Sequence, residues 1–220
     1  MKQLHELINR EEPGWLVVQQ WLAEATNFVE VLPPPDDATR DLALLDTQVT
    51  TRSPMGAVIY ESGGILVDHG WLRILASGHP RLPRSLPEWN FKRTFSDVGN
   101  APQFLLVADD AVGGFFAIDG GGLSLEQGKV CYFAPDTLDW ECMELSYSEF
   151  LVWCFGGDLA RYYEDVRWPG WQDEMQEIRG DEAYSIYPFL SCGGPPIAER
   201  MRRAVPIAEI YALHVGALPK

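Results

Sequence analysis

The chain has 220 residues, 46% of them apolar, with eight Trp, eight Tyr and ten Phe, and a formal charge of −15. This length fits one domain that buries roughly 70% of its unfolded surface, so a core forms without a disulfide or metal staple. The charge argues against nucleic acid and anionic membranes, whose affinity comes from Lys and Arg neutralising phosphate, and favours a basic protein surface or cationic ligand.

Met1-Lys2-Gln3-Leu4-His5-Glu6-Leu7 is charged and helical in rhythm, unlike a secretory signal. No apolar run approaches the ~18 residues of a membrane span, so the expected location is the cytoplasm. Leu4, Leu7 and Ile8 share a helical face, and Leu16, Val17, Trp21 and Leu22 mark a second helix. Phe28 to Leu32 reads as a strand stopped by Pro33-Pro34-Pro35. Asp36 or Asp37 then caps a helix carrying Leu42, Leu44 and Leu45.

Met55 to Tyr60 and Ile65 to Asp68 are expected as strands around Gly63-Gly64, with Trp71 to Ala76 another apolar piece. The Pro-rich stretch Gly78 to Pro87 reads as a loop, and residues 88 to 102 receive no assignment. Phe104 to Ala108, Gly114 to Asp119 and Lys129 to Phe133, joined by Gly-containing turns, form an antiparallel meander. Ser146 and Glu149 have capping-box spacing ahead of a helix whose apolar side holds Phe150, Leu151, Trp153 and Cys154. Gly156-Gly157 ends it. Strands followed by a packed helix give an α+β fold, a sheet packed against helices.

The catalytic motifs tested fail on context. Gly122-Leu123-Ser124-Leu125-Glu126 lacks the closing glycine of a nucleophile elbow and lies between strands. Gly128-Lys129-Val130 is followed by a strand, so no helix N-terminus can cradle phosphate. Asp68 and His69, brought near Asp109 by the fold, are the candidate hydrolytic or metal site, with Asp119 as a further carboxylate. The competing reading makes Asp109, Asp110 and Asp119 turn residues bonded to nearby amides. No metal or cofactor is expected. Cys131, Cys142, Cys154 and Cys192 form no C-x-x-C pair and read as small buried apolar residues, with a disulfide between two of them as the alternative.

The segment from Asp136 to Glu182 holds thirteen acidic residues against Arg161, Arg167 and Arg179, and so contributes −10 of the −15. A helix through Trp171, Met175 and Ile178 would leave Asp173 and Glu177 on one exposed side. With Asp136, Asp139, Glu141 and Glu144, these form the candidate acidic face for a basic protein partner. A solvated face that aids solubility is the competing reading. A homo-oligomer built on Trp168 and Trp171 around Pro169-Gly170 is a further one.

The block from Phe104 to Phe155 resembles the core of the SUKH superfamily. It does so through the strand Phe104 to Ala108 with its turn Asp109 to Gly114, the strand Phe115 to Asp119, and Gly128 to Phe133. The acidic-aromatic stretch Asp136 to Trp140 and the helix start Ser146 to Leu151 complete it. The whole chain is similar to the bacterial domain-of-unknown-function family numbered 2625. The resemblance implies one α+β domain over residues 1–220. Residues 103–157 would be its SUKH-like core, with 1–102 and 158–220 packed on it as extensions. It also implies, from many bacterial members, an immunity role in which a toxin domain, often a nuclease, is bound and neutralised. No catalytic residue carries over.

Overall fold

The computed structural model describes residues 1–95 and 101–215. Two short helices open the chain, α1 (Leu4–Leu7) and α2 (Trp15–Ala23), followed by β1 (Val29–Leu32). The helix expected after the prolines is α3 (Asp37–Thr47), and Asp36 caps it by accepting a hydrogen bond from the Thr39 amide at 2.8 Å.

Met55 to Tyr60, expected as a strand, lies instead in α4 (Pro54–Glu61). A short apolar run does not distinguish strand from helix by periodicity. The deciding signals precede it: Ser53 accepts the Gly56 amide, and Pro54 sits at the first turn, where its missing N–H costs nothing. The helix packs against α2 and α3, and Gly56 lets the loop that precedes it fold back closely, because a Cβ there would meet the Thr50 carbonyl oxygen at 2.1 Å.

After α4 come β2 (Gly64–Val67), β3 (Leu72–Leu75), α5 (Leu86–Asn90), β4 (Phe104–Asp110), β5 (Phe115–Asp119), β6 (Val130–Ala134) and β7 (Asp139–Leu145). The unassigned stretch 88–102 thus holds the end of α5, and residues 96–100 of it lie outside the described residues. The seven strands form one sheet in sequence order, every neighbour antiparallel. Residues 29–75 supply three of its strands and 104–145 the other four. The meander is as expected, but β7 extends it through an acidic stretch that had not been read as a strand.

The chain continues through α6 (Tyr147–Gly156), α7 (Leu159–Tyr162), α8 (Trp171–Glu174), β8 (Glu182–Tyr187), β9 (Met201–Pro206) and α9 (Ile207–His214). Ser146 and Glu149 close the expected capping box on α6. The helix expected through Ile178 stops at Glu174, although Trp171 and Met175 are buried as anticipated.

Strand alternation sends neighbouring side chains to opposite faces. Phe116 meets Phe150 of α6 and Tyr132 meets Tyr162 of α7, while Phe115 meets Tyr211 of α9 on the other face. The β8–β9 hairpin docks on the sheet through the Tyr184 amide, which donates to the Ala111 carbonyl at 2.7 Å. One buried apolar cluster runs from Val18 to Ile210. Among the described residues no helix is long and apolar enough to cross a membrane.

Candidate functional site

The acidic candidates centre on β7, an outer strand of the sheet that, among the described residues, pairs only with β6. Its pattern explains why an acidic stretch folds as a strand. Trp140 turns inward and packs on Phe133 and Phe104 at 5.4 and 5.5 Å, while Asp139 and Glu141 on either side are exposed. Asp136 is exposed in the turn before the strand. Glu144 adopts a left-handed φ of 60° where the β6–β7 register shifts, which turns its side chain out.

None of Asp136, Asp139, Glu141 or Glu144 takes part in the ion pairs among the described residues. Lys129 lies close, but its ammonium donates to the Glu144 carbonyl rather than the carboxylate. Glu141 accepts from the Thr137 hydroxyl at 3.2 Å. Among the described residues, the strand therefore carries carboxylates outside any ion pair beside a backbone edge that no further strand covers.

Asp173 and Glu177 are also exposed and without ion pairs, but they lie on and just after α8. An aromatic row separates the two groups. Tyr162, near Asp136 and Glu141, meets Tyr132 edge to face, and Tyr163 meets Trp71, which meets Trp171 at 5.1 Å. Burial holds the Tyr162 hydroxyl well above its ordinary pKa, and the charges of Asp110, Glu141 and Asp136 add to this.

The other candidates separate. Asp109 is fully buried, its Oδ1 2.7 Å from Arg73 Nε and its Oδ2 2.7 Å from Arg84 Nη1. Asp68 accepts from Arg167, and His69 is exposed and stacked on Phe28 at 4.6 Å. No group of three His, Cys, Asp or Glu among the described residues is placed to hold a metal. Asp119 serves its own turn, accepting the amides of Gly121, Leu123 and Leu125.

Asp110 points to the face opposite Asp109 and accepts from the Tyr132 hydroxyl and the amides of Val112 and Gly114. Burial raises its pKa, and those three hydrogen bonds oppose the shift. The partners of Asp109 escaped the sequence reading. A signal was present in Trp71-Leu72-Arg73-Ile74-Leu75, because a lone arginine inside an apolar strand requires a buried acceptor.

The family described as "Protein of unknown function DUF2625" matches residues 4–210. The chain belongs to this family. Similar members include "Putative uncharacterized protein YbfG" of Escherichia coli (strain K12), 44% identical over 213 residues that cover 97% of this chain and 95% of that protein. An "Uncharacterized protein" of Haemophilus influenzae (strain ATCC 51907 / DSM 11121 / KW20 / Rd) is 41% identical over 212 residues, covering 96% and 92% respectively. No solved structure matches. Neither the DUF2625 match nor these relatives carry the SUKH likeness, and the α+β class stands without it.

Proposed function

We propose that this DUF2625 protein is a non-enzymatic binding module whose β7 edge docks on a basic protein surface. The observation that carries this reading is the set of exposed carboxylates without ion pairs among the described residues, Asp139, Glu141 and Glu144 on the outer strand β7 and Asp136 in the turn before it. Charge on an edge strand also guards against unwanted strand pairing, so solubility alone would call for some of it. Four carboxylates outside any ion pair among the described residues, with Lys129 as the one cation noted beside them, exceed that need and create a field that steers a cationic partner. A nuclease-type toxin domain is the partner class with the required surface, since its own substrate is a polyanion. Asp173 and Glu177 extend the same field at the far end of the aromatic row.

The test uses three tagged baits in lysate of the native host: the wild type, a quadruple D136N/D139N/E141Q/E144Q variant, and a D173N/E177Q variant. These side chains are exposed and make no ion pairs, so all three baits should fold alike by circular dichroism. A basic protein held by the wild type at low salt, released at high salt and lost from the quadruple variant supports the proposal. Equal retention by wild type and quadruple variant, or none by either, removes it.

A further inference from the structure

A cleft elsewhere on the surface has the opposite character. It measures about 350 Å³, opens between the β2–β3 turn, the 80–81 loop and the segment joining α8 to β8, and is lined by His69, Arg73, Arg81 and Arg179 with Leu66 and Met175 as apolar wall. No carboxylate lines it, although the chain carries −15. We propose that this cleft binds a small organic anion through a phosphate or carboxylate group held by Arg81 and Arg179.

Beneath the cleft, Arg73 and Arg84 share one buried carboxylate, Asp109, so two guanidinium charges face a single counter-charge on that side of the sheet. Arg73 also donates to the carbonyls of Glu182 and Asp110, and Arg84 to the carbonyl of Gly180, a residue of the cleft lining. These contacts fix the inner arginines in place, leaving them to supply potential rather than ligand contacts.

The rim arginines are held by exposed pairs alone among the described residues. Arg81 pairs with Glu30 and Arg179 with Asp181, both in exposed bridges that contribute little stability, so either guanidinium can turn to an incoming anion at small cost. Planar guanidiniums match the paired oxygens of carboxylate and phosphate groups. The turn beside them is held in an uncommon conformation: Asp68, His69 and Gly70 have φ of 51°, 60° and 86°. Arg167 anchors Asp68 and Phe28 stacks on His69, which keeps that imidazole at the cleft. The volume falls at the low end for small-molecule sites, about 300–1,000 Å³, and suits a metabolite-sized anion better than a peptide.

Isothermal titration of the full chain with pyrophosphate and, separately, with citrate tests this proposal independently of the β7 reading. The expected result is saturable one-to-one binding of at least one anion, weakened about tenfold or more by Arg81→Gln and by Arg179→Gln. Pyrophosphate alone would assign a phosphate ligand and citrate alone a carboxylate. Arg52→Gln, which loses an exposed pair with Glu12 outside the cleft lining, should leave the affinity unchanged. No saturable binding of either anion, or equal weakening by Arg52→Gln, overturns the proposal.

Discussion

Arg73 and Asp109 stand directly opposite each other on β3 and β4, joined from Nε to Oδ1 at 2.7 Å with both side chains withdrawn from water. Burial pulls the Arg73 pKa down, and Asp109 is the largest influence opposing it. Removing one partner of such a cluster strands a charge in a poorly solvated place. Asp109→Asn strands two, and it is expected to cost about 3–5 kcal/mol in urea unfolding. Arg73→Met leaves Arg84 on Asp109 and should cost less. A loss under about 1 kcal/mol for Asp109→Asn, well below that range, would show the cluster to be solvated.

Ser53 provides a test of the one helix that its apolar pattern disguised. In α4 the Ser53 hydroxyl accepts the Gly56 amide at 3.1 Å and donates to the Thr50 carbonyl. Ser53→Ala should lower stability by about 1 kcal/mol, while Ser53→Asp restores most of the loss because its carboxylate can accept the same amide. A strand at this position would not distinguish alanine from aspartate.

The parts legible in the sequence were those decided locally. Turn glycines bounded β4, β5 and β6, and the Ser146–Glu149 spacing announced α6. What escaped depended on distant partners. Strand β7 forms because Trp140 finds Phe133 and Phe104, a contact that cannot be seen in an acidic run. The adjacent Asp109 and Asp110 look alike in the sequence. Only pleating across a sheet buried on both faces gives one of them two arginines and the other a tyrosine. The acidic excess was countable, but whether its members had counter-ions depended on where the arginines folded.

Cys131 and Cys142 are opposed residues on β6 and β7, and this pairing is checkable by chemistry. Directly opposite Cα atoms in an antiparallel pair lie about 4.5–5.5 Å apart, within the range that a disulfide spans. Burial pushes the Cys131 thiol up to about 12, with Cys142 adding to the shift, so the half-buried Cys142 should oxidise first. In a Cys192→Ser background, dioxygen with a copper–phenanthroline catalyst should take two electrons and two protons from the pair and form one intramolecular disulfide. Peptide mass mapping that finds both thiols still free, or Cys142 joined to Cys154, would mean a different β6–β7 register.

His214 ends α9, where the helix terminus favours a positive charge. It is also half-buried against Phe133, with the Gly113 backbone beside its ring. Burial lowers its pKa, and a hydrogen bond with the Gly113 backbone opposes the shift without cancelling it. The unfolded chain, whose histidine titrates near about 6.5, therefore binds a proton before the folded chain does. Stability from this group is complete above the unfolded value and is lost as pH falls through the depressed folded value. Urea midpoints measured at successive pH values from neutral into the mildly acidic range should fall more steeply for the wild type than for His214→Gln. Every other titrating group is common to both proteins and cancels in the comparison. Parallel pH profiles for the two would mean that the imidazole takes up its proton in the folded state as easily as in the unfolded one, and that burial does not govern its charge.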